Sequence, residues 1–567
     1  MNVTQRWRLK AERAVWRLDQ AQTLRMAMWL VPLFFGLLAL SMGQDNNWDL
    51  RNYHYYNPFA WLNGKVGLDL APGQMQTYFN PTIDVLYYGL SKFAPAPLIG
   101  FIMGLLHGLN FLVLAAIVRT ILPLDAPGRT ARLPICLAFA GMLSANFIAQ
   151  LGNTMGDNLT ALFVLGALLL VLRHWPAFAR GDRASALLLS GFVMGAGVGL
   201  KLTNAIYAPA LCMALLLVPG TVLVRLRAAF LFGISVLAGI ALTGGHWYWK
   251  MWTLFGNPLF PQFNNIFHGP MAVEVGVADL RFLPHDLVER ISWPFIIAVS
   301  PGRVSEMWLS MLSWPFLYSA YIAIICFALL RPRRPGAAGM AEPDQSRDNA
   351  LLLFAALAYL TWLNLFGIAR YLMPLELLAP LLLWLMAQRL FPSMVAGKIA
   401  GVVVLLIIAF SFQSTNWRRT DWSAQPLSAE VPVIADPRQS MVLTAQNQPP
   451  MAWLATFYPR DLAFVSLVFG LESPVFNQRF RDMMAERKGP VYVMLSDNRA
   501  GVDNRMSPAR KQPAFDANAE TDSDAAHVLA ARGLRFVPAA CVQYRARVGD
   551  DSVYYRLCPV LPLVPAA

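Results

Sequence analysis

Apolar positions along this chain come in long unbroken runs rather than in the short alternations of a soluble core. A helix crossing about 30 Å of hydrocarbon needs about 17 to 25 apolar residues. Runs of this kind lie near 27–43, 98–122, 133–150, 158–174, 185–200, 203–219, 228–247, 306–330, 350–367, 372–388 and 398–412. Beyond about residue 413 the pattern changes: apolar runs shorten to strand length and charges become frequent. There "SMVLTA" (440–445), "LAFVSLV" (462–468) and "VYVMLS" (491–496) read as buried strands, and "RFRDMMAER" and "DAAHVLAARG" as helices. "VQYRARV" and "SVYYRL" read as a hairpin around "GDD", and 498–522, rich in Asn, Asp, Arg and Ala, as a long loop. The expected fold is an all-α polytopic membrane protein of about eleven spans with a C-terminal soluble α/β domain. Its parts are a basic segment 1–26, a transmembrane domain 27–412 with outer loops 44–97 and 248–305, and the α/β domain 413–567.

Composition excludes a soluble globular class: 56% of residues are hydrophobic, only 14% are charged, and the mean hydropathy is +0.45. The first run is expected to remain as an anchor, because a long basic segment precedes it and no small-residue cleavage site follows. The net charge of +13 is spread over membrane-flanking loops. Arg6, Arg8, Lys10, Arg13, Arg17 and Arg25 precede the first run, and Arg129, Arg132, Arg173, Arg180, Arg183, Arg225, Arg227, Arg331, Arg333, Arg334, Arg389 and Lys398 fall in alternate loops. Lys and Arg favour the cytoplasmic side, so the N-terminus is expected inside and the tail outside, on the periplasmic face of an inner membrane. Charge distributed in this way forms no basic domain and argues against a nucleic-acid partner.

Cys136, Cys212 and Cys326 fall inside apolar runs and read as small buried hydrophobes. Cys541 and Cys558 flank the tail hairpin, where a cross-strand disulfide is reasonable and implies an oxidising compartment. No CxxC pair and no zinc-type spacing occurs. The tail carries no glycine-rich nucleotide loop and no nucleophile elbow, so a scaffolding or acceptor-binding role is expected of it.

Ionisable groups at membrane depth cost a few kcal/mol, by about the scale of insertion measurements, and so mark functional sites. Four places stand out, all expected on the outer side: "GQDNNWDLRNYHYYNP" with Asp45 and Asp49, "GNTMGDNLTALFVLG" with Asp157, "GLKLTN" with Lys201, and "GIARYLMPLE" with Arg370, Tyr371 and Glu376. Each has a plainer role: a helix N-cap acid for Asp157, a snorkelling cation for Lys201, an interfacial anchor for Arg370, solvated loop acids for Asp45 and Asp49. Glu376, nearly two turns further in, has as its plainer role pairing with a nearby cation. Four on one face suggest one site. Carboxylates beside Lys and Arg suit transfer of a sugar from a lipid-linked phosphate: cations hold the leaving phosphate, and an acid deprotonates the acceptor hydroxyl.

The same residues resemble the GT-C class of integral membrane glycosyltransferases, which use polyprenyl-phosphate sugars. They are similar to aminoarabinose transferases, protein O-mannosyltransferases and polyprenol-phosphate-mannose-dependent mannosyltransferases. The resemblance rests on Asp49-Leu50-Arg51-Asn52-Tyr53 followed by "WLNGK", on Asp157 ahead of "NLTALFVLGALLL", on "GVGLKLTN", and on "RYLMPLE". It spans roughly residues 27–412 through short motifs in a fixed order. It implies Asp49 as catalytic base, Asp157 orienting donor or acceptor, and Lys201, Arg370 and Tyr371 on the donor phosphate. Where some relatives have two adjacent acids this chain has Asp49-Leu50, which puts in doubt a metal role for a second acid. Tyr53 would back Asp49, and Asp45 would at most tune it.

"WYWKMWTLFGNPLFPQFNN" (247–265), with Asn257, opens the second outer loop and offers aromatics and amides for sugar binding, or an aromatic belt with a Pro-rich turn. "YHYYNPFAWL" (53–62) reads as an interfacial amphipathic helix or a surface anchor. Asp84 receives no role. The outer acids could gather one divalent ion, but His54 and His268 form no recognisable ligand spacing. The expected partners are a polyprenyl-phosphate-linked sugar, a glycan, lipid or protein acceptor, and membrane lipids. A transporter or flippase for a lipid-linked sugar is the main alternative, although no internal repeat supports it.

Overall fold

The computed structural model describes residues 19–122, 131–277, 279–330, 343–411, 417–497 and 518–563. Among them, seven helices are long and apolar enough to cross a membrane: Ala21–Ser41, Ala96–Ile121, Asp157–Ala179, Val222–Phe255, Ser313–Leu330, Gln345–Leu365 and Ala369–Leu390. Four shorter apolar helices, Arg132–Met142, Ala184–Leu200, Leu202–Leu217 and Val395–Ser411, stand at the remaining expected runs. Large apolar side chains project outward from several of these helices, among them Trp29, Leu223, Phe230, Leu329 and Leu405. Exposed apolar surface on that scale is what hydrocarbon would cover. Cys136 and Cys326 are exposed, so the expectation of buried thiols fails for them, while Cys212 is half-buried and packs against the helical core.

The glycine-rich run "SGFVMGAGVGL" has a packing reason. Ala184–Leu200 lies against Val222–Ile240, and a Cβ on Gly191, Gly195 or Gly239 would collide with the carbonyl of Phe232, Val236 or Phe192 respectively. Glycines four residues apart let two backbones approach to contact, as small-residue seams do between membrane helices. The close seam fixes the end of Ala184–Leu200, and with it the position of Lys201.

The C-terminal unit is built on a seven-stranded mixed sheet of β3 (Leu427–Ala429), β4 (Met441–Thr444), β5 (Ala463–Ser466), β6 (Val491–Ser496), β7 (Leu534–Phe536), β8 (Val542–Val548) and β9 (Asp551–Pro562). The spatial order is β3-β8-β9-β6-β4-β5, with β7 also on β9; β4 runs parallel to β5 and β6. Side chains alternate between two cores, as the strand period of two requires. Leu443, Val465 and Val493 face the helices Pro474–Glu486 and Ala519–Ala530. Val442, Phe464 and Met494 face Leu50, Tyr56 and Phe59 of the first long loop. Cys541 and Cys558 form the expected disulfide. Of the expected loop 498–522, residues 498–517 lie outside the described residues, and 519–522 begin a helix.

Both long loops are welded to this unit. A two-stranded ladder joins β1 (Gln44–Asp45) to β2 (Arg419–Thr420), and Leu70 bridges Val465 at the sheet edge. Lys65 Nζ donates to the carbonyls of Leu462 (2.6 Å) and Arg460 (3.0 Å), and Asp69 Oδ1 accepts from Phe464 N at 2.9 Å. From the second loop, Val273 N donates to Leu471 O at 3.0 Å. The helix Tyr56–Leu62 is therefore enclosed, with Tyr56, Phe59 and Ala60 buried. This corrects the expectation of an amphipathic interfacial helix: the sheet covers the face that a membrane surface would have taken.

Candidate functional site

The first long loop positions Asp49 through a chain of short polar contacts. Asp45 accepts from Asn47 N (3.1 Å), Asn47 Nδ2 (2.7 and 2.9 Å), Thr154 N (2.8 Å) and Thr154 Oγ1 (2.8 Å). With its lone pairs filled, Asp45 is an anchor between two loops and not a solvated acid. Asn47 Oδ1 then accepts from Leu50 N at 2.7 Å and opens the turn Leu50–His54, which Asp49 caps. The Asp49 carboxylate, 8% exposed, meets Arg370: Nη1 lies 2.7 Å from Oδ2.

Asp157 and Lys201 form a second pair. Gly156 takes the left-handed conformation (φ +81°) that ends the preceding loop, and Asp157 opens the helix Asp157–Ala179. Among the described residues its Oδ2 accepts no hydrogen bond, and its Oδ1 is taken by a side chain. Lys201, at the break between Leu200 and Leu202, donates to Asp157 Oδ1 (2.6 Å) and to Met155 O (2.6 Å). Lys201 thus points inward to a carboxylate and does not snorkel, and Asp157 serves the cation in place of a helix N-cap.

Two residues connect the pairs. Met155 accepts Lys201 through its carbonyl and Arg370 Nη1 through its sulfur at 3.6 Å. The Tyr371 ring lies under both cations, 5.6 Å from Lys201 Nζ and 5.4 Å from Arg370 Cζ, within reach of cation–π attraction. The turn Ala369–Leu372 that carries Arg370 and Tyr371 is pinned from three sides. Ala369 N donates to Val304 O (2.8 Å), Asn146 Nδ2 to Ala369 O (2.9 Å), and Tyr207 Oη to Tyr371 O (2.6 Å). Gly367 just before it has φ +66°, where a Cβ would strike the Phe282 carbonyl. Arg370 is consequently a fixed member of a buried cluster and not an interfacial anchor. Arg370 Nε and Asp157 Oδ2 are buried and make no hydrogen bond among the described residues.

Burial pushes the Asp49 carboxyl up, but the charges of Arg370 and His54 outweigh it and hold Asp49 below the ordinary carboxylate value. Burial, with the Asp49 charge, pushes the Tyr53 hydroxyl well up, so it stays protonated. Its ring packs on His54 (centroids 4.1 Å) and edge-on to Phe79 (5.5 Å). Tyr53 is therefore a wall of the Asp49 environment.

Two expected candidates lie elsewhere. Glu376 pairs with no cation among the described residues. Its Oε1 accepts from Trp314 Nε1 at 3.3 Å, in a crevice with Ser144, Ser310, Ser313 and Ser411. Asn257 is buried and closes its own loop, with Nδ2 on Gln262 O (2.9 Å) and Asn264 Oδ1 (3.1 Å) and Oδ1 taking Leu259 N (2.9 Å). The aromatic stretch it follows is helical through Phe255, so that part of the expected loop continues a span.

His54 and Asp84 are additions. His54 Nδ1 lies 2.7 Å from Asp84 Oδ1, both side chains are buried, and His54 Nε2 has no partner. Burial pushes Asp84 up despite His54. Only the acid in "PTID" hinted at this dyad, and a separation of 30 positions hid its partner. As for a divalent ion, no three His, Cys, Asp or Glu side chains converge as a ligand set among the described residues. Asp49 and Asp157 each face a cation instead, so the donor set does not fit a metal in this arrangement, and no step below runs through one.

No family profile matches the chain, and no curated protein does. Among solved structures it is similar to the oligosaccharyltransferase of Archaeoglobus fulgidus. To the complex with Zn and sulfate, identity is 14% over 82% of this chain and 67% of that one, with a TM-score of 0.42. To the apo form, identity is 12% over 83% of this chain and 69% of that one, again with a TM-score of 0.42. What the site can do follows from its own geometry.

Proposed function

We propose that the chain is an integral membrane glycosyltransferase that moves a sugar from a polyprenyl-phosphate donor to a glycan, lipid or protein acceptor at the periplasmic face of an inner membrane. The observation that carries this reading is the joining of two carboxylate–cation pairs, Asp49–Arg370 and Asp157–Lys201, through Met155 and Tyr371 at the ends of apolar helices. A lipid-borne phosphate approaching along the helices would meet two cations at the level of its headgroup. The welding of both long loops to the C-terminal unit supports an arrangement with all three on one side, as eleven spans would give.

In the proposed reaction Asp49 takes the proton of the acceptor hydroxyl. The acceptor oxygen attacks the anomeric carbon from the face opposite the phosphate, and the bond from that carbon to the phosphate oxygen breaks. The sugar inverts, the polyprenyl phosphate leaves with the electron pair, and Lys201 and Arg370 carry its charge. Asp157 holds Lys201 in place and Tyr371 backs both cations. The pairing with Arg370 also sets when Asp49 becomes basic. While Arg370 faces it, Asp49 is held below its ordinary value; a phosphate that draws Arg370 away lets the carboxyl rise, which makes a better base.

Transfer from a panel of polyprenyl-phosphate sugars by the purified chain, compared with Asp49→Asn, tests the reading. Product that depends on the lipid-linked donor and disappears with Asp49→Asn is expected. Sugar movement across vesicles without product would favour a flippase and overturn it.

A further inference from the structure

Two residues beyond Asp49, on nearly the opposite side of the same turn, stands Arg51. It is 4% exposed, yet among the described residues its side chain makes no hydrogen bond and no ion pair, and Nε is enclosed without a partner there. A guanidinium carries five N–H donors and stays charged, so removing it from water with no acceptor in place is costly. Every other buried cation in this region has an answer: Arg370 has Asp49, Lys201 has Asp157, and Arg419 has the carbonyls of Gly43 and Leu151.

The surroundings of Arg51 point to a missing anion. Burial and the neighbouring Arg418 pull its pKa down, to about 10, against the opposing pull of Asp551. Arg418 is exposed, forms no ion pair with the described residues, and is held at φ +64° with its carbonyl accepting Asn46 N at 3.1 Å. Asp551 is shared, since Asn46 Nδ2 donates to its Oδ2 at 3.1 Å. Two unpaired guanidinium groups, one buried and one at the surface, thus stand at the seam where the first long loop meets the C-terminal unit.

We propose that Arg51 and Arg418 form a second anion-binding site, separate from the Asp49–Arg370 cluster, that takes a phosphate-type oxyanion. Two guanidinium forks match the geometry of such a group better than single ammonium charges would. Within the function proposed above, and resting on it, the site would hold an anionic group of the acceptor close to the base; the binding itself does not depend on that function.

Equilibrium binding of radiolabelled inorganic phosphate to the purified full chain in neutral detergent tests the site. A saturable component that weakens at least tenfold in Arg418→Gln, is lost in Arg51→Gln and persists in Arg370→Gln is expected. Arg418 is exposed, so its substitution spares the fold, and Arg51→Lys separates loss of the planar fork from loss of charge. Binding unchanged in both Arg51→Gln and Arg418→Gln overturns the site. So does the disappearance of all saturable binding in Arg370→Gln, which would place the ion in the donor cluster. Repeating the titration in nanodiscs with and without phosphatidylglycerol distinguishes the occupants: competition by the lipid assigns the site to a headgroup, and its absence to a soluble anion. Absence of transfer by the wild-type chain from every donor of the panel, with phosphate binding intact, would refute the proposed function and leave this site standing.

Discussion

Arg370 Nη1 lies 2.7 Å from Asp49 Oδ2, a contact that closes 321 residues of chain. Arg370 thereby holds the proposed base ionised until something more strongly anionic draws it away.

Replacing Arg370 with Gln is expected to move the acid limb of the pH–rate profile to higher pH. In the free wild type Asp49 has a lowered pKa, so kcat/KM is lost only as pH falls through that low value; without the guanidinium, protonation begins at higher pH. Residual transfer measured across the pH range checks this, and an unmoved acid limb would separate Asp49 from the base role.

Asp49→Asn removes the proton acceptor but keeps the side-chain shape. Transfer is expected to fall by about 10²–10⁴-fold, the usual worth of general base catalysis. Binding of the polyprenyl-phosphate donor should remain, read by donor-dependent thermal stabilisation. Activity close to wild type would exclude this residue as base.

The Asp157–Lys201 pair should show non-additive stability. Asp157→Asn leaves a half-buried Lys201 without its carboxylate, at a cost of up to about 3–5 kcal/mol, the figure for a fully buried pair. The double variant Asp157→Leu/Lys201→Met is expected to lose less than the sum of its single changes. Melting in detergent for the four proteins of the cycle measures the coupling; simple additivity would mean the two side chains do not sense each other.

Gly195→Leu should prevent stable assembly of the helical region, because its Cβ alone would collide with the backbone of Val236. Gly233→Leu on the neighbouring helix meets nothing within 4 Å and is the matched control. Monodisperse elution of Gly195→Leu, indistinguishable from the control, would contradict the close helix seam.

Cys541→Ser is expected to destabilise the C-terminal unit by about 3 kcal/mol on the loop-entropy estimate for a closure of 17 residues. The same disulfide reports location: in intact cells, the thiols freed by mild reduction should be labelled from outside by an impermeant reagent. Labelling solely from the cytoplasmic side would refute the eleven-span arrangement proposed above.

Much of the fold is legible in the chain because it is local. Long apolar runs specify helices, strand-length apolar runs specify the buried strands of the C-terminal sheet, and Lys201 places a charge at the end of a Gly-rich run. Candidate chemistry was legible too, since Asp49, Asp157, Lys201 and Arg370 sit where ions are expensive. Sequence does not encode partners as directly. That Asp45 would be saturated by Asn47 and Thr154 while Asp49 met Arg370 depended on loops far apart in the chain. Glu376 and Asn257 carry the same polar groups as the site residues, and only their packing shows that one serves Trp314 and the other its own loop. His54 with Asp84, and Arg51 with no partner among the described residues, became visible only once the sheet had closed over the first long loop. The sequence by itself determined which segments are apolar, where charges are rare, and hence where a site would be worth building. The tertiary structure decided which charges neutralise each other and which remain open, because burial and Coulomb interaction depend on distances in space that spacing along the chain does not set.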